Sequence, residues 1–123
     1  GAHNEDGARS LAKAIDKNFN GKKATLLIGM LEDKDIDGVL EILMPYFDKV
    51  ITTTPESDRA INCEALKNKI SKYTDNVICK EKIEDAVKYT LETAKYDDII
   101  ISAGSLYMIG SVRTILNNML VLS

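Results

Sequence analysis

Short apolar runs that alternate with helical patterns constrain this chain more than any other feature. "ATLLIG" at 24–29 is a continuous apolar run of strand length, the kind a parallel sheet buries on both faces. "KVITTT" at 49–54, "NVICK" at 76–80 and "DIIIS" at 98–102 read as three further strands. Helical spacing fills the intervals. Ala8, Leu11, Ala12, Ile15 and Phe19 predict an amphipathic helix over 5–18 with Asn4 as its N-cap and Gly21 as its stop. Val39, Leu40 and Leu43 share a face between Ile36 and Met44, and Pro45 limits that helix. Asn62 caps a third helix carrying Ala65, Leu66, Ile70 and Tyr73. Ile83, Ala86, Val87, Leu91 and Ala94 make the clearest stripe, and Ile109, Val112, Ile115, Leu116 and Met119 mark a final helix.

One helix followed by four strand–helix units implies right-handed crossovers, and hence an open, mostly parallel sheet covered on both faces. The expected fold is a Rossmann-like three-layer α/β/α sandwich. At 123 residues the chain is one domain, 1–123, with no internal boundary or low-complexity tract. Ligands of such sheets bind beyond the carboxyl ends of the strands, which directs attention to "MLEDKD", "TPESDRA", "KEKIE" and "AGSLY".

Composition removes several function classes. Nineteen acidic and sixteen basic residues are spread along the chain, so no basic stripe points to nucleic acid. No apolar run approaches the roughly 18 residues of a membrane span, and no signal-peptide layout is present, so the expectation is a cytoplasmic protein with no membrane partner. His3 is the only histidine, which excludes a multi-histidine metal centre and a conventional triad. No GxxxxGK[ST] or GxGxxG loop occurs, so the chain alone should not hydrolyse ATP. Cys63 and Cys79 lack CxxC spacing and read as two reduced, mostly buried thiols. The opening Gly1-Ala2-His3-Asn4, without methionine and directly before a helix, reads as the start of a piece cut from a longer protein.

The strand exits offer anion chemistry, each with a plainer alternative. Gly104 either makes a sharp turn or lets a ligand approach the backbone, and Ser105 either caps the last helix or joins its free amides in holding a carboxylate or phosphate. Lys34, between Asp33 and Asp35, either belongs to a solvated loop or receives an anionic oxygen, while Asp35 can be the N-cap of the next helix. His3 and Asn4 stand before the first helix, where they could meet a ribose or phosphate.

Taken together, "GAHNEDGARSLAKAI", "LLIGMLEDKDIDGVLEIL", "FDKVITTTPESDRA" and "DDIIISAGSLYMIGSVR" resemble the C-terminal domain of the folylpolyglutamate synthase family, with its bifunctional dihydrofolate synthase relatives, in the Mur ligase superfamily. The resemblance covers nearly the whole chain. It implies an ATP-dependent ligase whose N-terminal P-loop domain, absent from this chain, holds most of the ATP and Mg2+ and phosphorylates a folate or dihydropteroate carboxylate. Glutamate's amine then attacks the acyl phosphate. The C-terminal domain would position glutamate and complete the nucleotide cleft, acting by proximity and exclusion of water. By itself it would be inactive.

The resemblance also distributes roles. His3 and Asn4 match an element beside the ATP ribose; Lys34 and Ser105 match positions that hold a glutamate carboxylate. Arg59 matches the arginine of an NPR motif that binds the incoming amino acid, although Asp58 stands where the proline is usual and would either loosen the loop or pair with Arg59. Asp33, Gly104 and Tyr107 would line the cleft, with packing against the sheet an equal reading for Tyr107. No metal ligand is assigned. The competing class is a free-standing α/β ligand-binding or phosphoacceptor signalling module, which needs carboxylates at strand ends where this chain has Ile28-Gly29-Met30.

Overall fold

The computed structural model describes residues 5–19, 23–32, 35–95, 99–104 and 120–121. The elements run α1 (Glu5–Phe19), β1 (Ala24–Gly29), α2 (Ile36–Leu43), a 3-10 turn (Met44–Tyr46), β2 (Phe47–Thr52), α3 (Cys63–Ile70), β3 (Val77–Cys79), α4 (Ile83–Thr93), β4 (Ile100–Gly104) and β5 (Leu120–Val121). The five strands lie in the order β3-β2-β1-β4-β5, and every neighbouring pair is parallel. The expected α/β sandwich is therefore present. β5 adds a strand that the apolar runs did not disclose, beyond the final helix expected around 109–119, which falls outside the described residues.

Alternation along the strands explains the layers. Leu26, Ile28, Val50, Val77 and Ile101 face one side and pack with Ala8, Leu11 and Ile15 of α1, Val39, Leu40 and Leu43 of α2, and Leu66 and Ile70 of α3. Leu27 and Ile51, one residue out of phase, face the other side and meet Ala86 and Val87 of α4. Right-handed crossovers require this division: the chain moves outward through α2 and α3 from β1 to β3, then returns through α4 to β4. Burial of these apolar side chains, each contributing about 1.5–3 kcal/mol, is the main force holding helices to sheet.

Four expectations are corrected. β2 begins at Phe47, two residues before the expected start at 49, because the 3-10 turn at Pro45 feeds straight into the sheet. The β1–β2 register slips between Ala24↔Phe47 and Thr25↔Lys49, so Asp48 is an extra residue. That bulge lets Phe47 and Val50, three residues apart, enter the same core. Tyr73 lies beyond α3, 41% exposed, with its hydroxyl donating to Glu41 Oε2 at 2.8 Å. Ala65 is exposed and Leu91 is 39% exposed, whereas Thr90 is buried and donates its hydroxyl back to the Ala86 carbonyl at 2.7 Å. Finally, Cys63 and Cys79 are joined in a disulfide rather than held as two thiols, with Cα atoms 5.6 Å apart. The parallel pairing of β3 with β2 sets the start of α3 beside the end of β3, a proximity that a separation of 16 residues does not reveal.

Candidate functional site

The strand order fixes where a crevice must open. Crossovers leave β1 toward one face and enter β4 from the other, so the loops after β1 and β4 diverge at a topological switch point. There Gly29 pairs with Gly104, each ending its strand. Two glycines side by side place no Cβ atom at the paired ends of β1 and β4. Gly104 thus ends β4 beside the end of β1.

The loops at this edge are knitted together. Leu31 and Ala60 form an antiparallel bridge; the Glu32 amide donates to the Arg59 carbonyl at 2.7 Å and the Ile61 amide to the Met30 carbonyl at 3.0 Å. The β2–α3 loop is thereby zipped onto the chain leaving β1, and Arg59, exposed, is brought beside Glu32. Asp33 and Lys34 lie outside the described residues. Asp35 is the N-cap of α2, its carboxylate accepting from the Gly38 amide at 3.1 Å. His3, Asn4, Ser105 and Tyr107 also fall outside the described residues, so of the expected site residues the structure positions Arg59 and Gly104.

A third loop completes the edge through Glu81, a residue that no local sequence pattern singles out. Its carbonyl accepts from the Thr54 amide at 3.1 Å and the Thr53 hydroxyl at 3.2 Å, and its Oε2 accepts from Asn62 Nδ2 at 3.2 Å. Asn62 in turn caps α3, its Oδ1 accepting from the Glu64 amide at 2.8 Å. Thr54 Oγ1 accepts from the Cys63 amide at 2.9 Å, and the buried Thr52 hydroxyl donates to the Cys63 carbonyl at 3.0 Å. These bonds fix both ends of the loop that bears Arg59. Arg59's own amide donates to Ser57 Oγ at 3.2 Å, closing a tight turn with Asp58 at its centre.

A separate groove lies elsewhere. A groove of about 460 Å³, walled by Lys23, Glu41, Phe47, Asp48 and Tyr73, lies at the amino edge of the sheet. Its place opposite the switch point, and its mixture of one ammonium with two carboxylates, argue against its being the site of anion recognition. Among the described residues, no three His, Cys, Asp or Glu side chains gather to hold a metal ion, and no helix is long and apolar enough to cross a membrane.

Comparison with known proteins agrees with this geometry. The family model of the Mur ligase glutamate ligase domain matches residues 1–106. The dihydrofolate synthase/folylpolyglutamate synthase of Mycobacterium tuberculosis is 31% identical, covering 93% of this chain and 26% of its own length. In structure, the folylpolyglutamate synthase of Thermotoga maritima superposes with a TM-score of 0.76 at 32% identity, covering 95% of this chain and 26% of that one. The Mycobacterium tuberculosis folylpolyglutamate synthase complexed with ADP superposes with a TM-score of 0.72 at 31% identity, covering 83% and 25%. The chain spans about a quarter of the length of these relatives. Fold, strand-edge geometry and sequence match together place the chain in the Mur ligase family, as a glutamate ligase domain.

Proposed function

We propose that this chain is the C-terminal domain of an ATP-dependent folylpolyglutamate synthase, one that adds L-glutamate to a folate or dihydropteroate carboxylate through an acyl phosphate. The observation that carries the reading is the meeting of the β1, β2 and β4 exits: Gly29 beside Gly104, and the Arg59 loop zipped onto residues 30–32. An amino acid held there would have its carboxylate answered by the Arg59 guanidinium and, in this proposal, by Lys34 and Ser105 on the adjoining segments. Asp33 and Tyr107 would complete the walls.

ATP and Mg2+ belong mainly to an N-terminal P-loop domain joined to this one, with His3 and Asn4 contributing at the nucleotide side. Among the described residues of this edge the Arg59 guanidinium is a cationic donor, and a guanidinium suits a carboxylate. The nucleotide supplies the phosphoryl group that activates the acceptor carboxylate. This domain's own work is to bind glutamate, orient its amine and keep water from the activated acid. The setting is an enzyme of the cytoplasm.

The test is ADP formation by the polypeptide in which this domain is joined to its ATP-binding partner. We expect ADP release to require both L-glutamate and a folate or dihydropteroate acceptor, and this domain alone to release none. Turnover with another amino acid or a peptidoglycan precursor in place of these substrates would overturn the assignment.

A further inference from the structure

The disulfide between Cys63, the first residue of α3, and Cys79, the last of β3, ties together the two elements that flank the Arg59 loop and Glu81. Cys63 is buried and Cys79 is half-buried, so Cys79 is the more exposed end of the bridge. Glu81 Oε2 lies 3.4 Å from Cys63 Sγ, in contact with the bridge and with Asn62 at once. The bridge is also not the sole fastening of its own ends. The amide and carbonyl of Cys63 are held by Thr54 and Thr52, and Cys79 is paired with Thr52 in the sheet. Opening the bridge would leave both sulfurs close to each other and ready to close again. A partly exposed bridge between independently held ends is the arrangement of an exchangeable disulfide rather than of a buried staple.

We propose that Cys63–Cys79 is a reversible redox modification site, whose closed form pins the start of α3 to β3 and so restrains the loop at 53–62. In the opening direction, a dithiol reductant attacks Cys79 Sγ as its thiolate. The sulfur–sulfur bond breaks, Cys63 leaves as a thiolate and takes a proton, and a mixed disulfide forms on Cys79. The reductant's second thiolate then displaces Cys79, which is protonated in turn. Two electrons pass to the protein, and the reductant becomes a cyclic disulfide. Closing reverses these steps with a low-molecular-weight disulfide as oxidant. The consequence for glutamate handling rests on the function proposed above; the redox chemistry itself does not.

The experiment uses the purified protein without substrate, so that a failed function assignment leaves its outcome intact. Intact mass is measured after alkylation with iodoacetamide, before and after dithiothreitol, and again after treatment with glutathione disulfide. Hydrogen exchange is followed at residues 53–62 in each state and in a Cys63→Ser/Cys79→Ser variant. We expect no alkyl group before reduction, two after it and none after reoxidation, with a native fold throughout. Exchange at 53–62 should quicken by about tenfold on reduction, and the variant should match the reduced protein. Two alkyl groups that no disulfide treatment can prevent, or global unfolding on reduction, would overturn the redox site. Unchanged exchange at 53–62 in both the reduced protein and the variant would overturn its link to the loop.

Discussion

At the level of single residues, Gly38 shows how a cap constrains a neighbour. A Cβ built there would lie 2.8 Å from Asp35 Cγ and 2.9 Å from Glu5 Cγ, inside the space taken by the capping carboxylate. A glycine-to-alanine change within a helix ordinarily gains about 1 kcal/mol, and loss of an N-cap costs about the same. We therefore predict that Gly38→Ala gains nothing, while the same change made in an Asp35→Ala background, where only the exposed Glu5 side chain has to turn aside, recovers the ordinary benefit. Urea midpoints of the four proteins check it. Tyr73 gives a prediction in pH. Its hydrogen bond to Glu41, with burial and the charges of Glu41 and Asp37, raises the phenol above its usual value. A group raised in this way stabilises the fold below its unfolded value of about 10, and the contribution is lost as pH climbs through the folded value. A tyrosine absorbance titration should lose a raised component in Tyr73→Phe and show that component earlier in Glu41→Gln. The caps at Asp35 and Asn62 were legible in the sequence because a cap bonds only within its own turn. The Tyr73–Glu41 bond joins residues 32 apart, one on α2 and the other in the turn beyond α3, and local spacing contains no trace of it.

Among the elements, strands were legible where burial on both faces forces an unbroken apolar run, as in "ATLLIG", all of whose residues are buried. Boundaries were less so. The start of β2 depends on a bulge at Asp48, which answers to Phe47's need to enter the core rather than to any alternation in the sequence. β5, with two residues at the sheet margin, is too short to produce a pattern of its own. The carboxyl edge depends on side-chain-to-backbone bonds between elements, and Thr52 carries one at a fully buried position. Thr52→Val keeps the shape and removes the donor, leaving the Cys63 carbonyl without that partner. The expected loss is about 1–3 kcal/mol, read from urea unfolding, with faster hydrogen exchange at the start of α3.

For the whole molecule, the order α, then strand and helix in turn, was sufficient to imply a switch point, because handedness leaves few ways to cover both faces of a parallel sheet. Which loops meet there was not implied. The zipper between residues 30–32 and 59–61 is a long-range pairing of two irregular segments, and it is what brings Arg59 to the exit of β1. Resemblance assigned Arg59 a role, and the fold gives that assignment a location. In the proposed function this edge receives the incoming amino acid, with the nucleotide held mostly by another domain. The most direct measurement is the pair of KM values, for glutamate and for ATP, in the ligase that carries Lys34→Ala. Loss of a charge-assisted contact to a carboxylate predicts a KM for glutamate raised about 10- to 100-fold, with the KM for ATP changed little. An equal rise in both, or a rise confined to ATP, would contradict it.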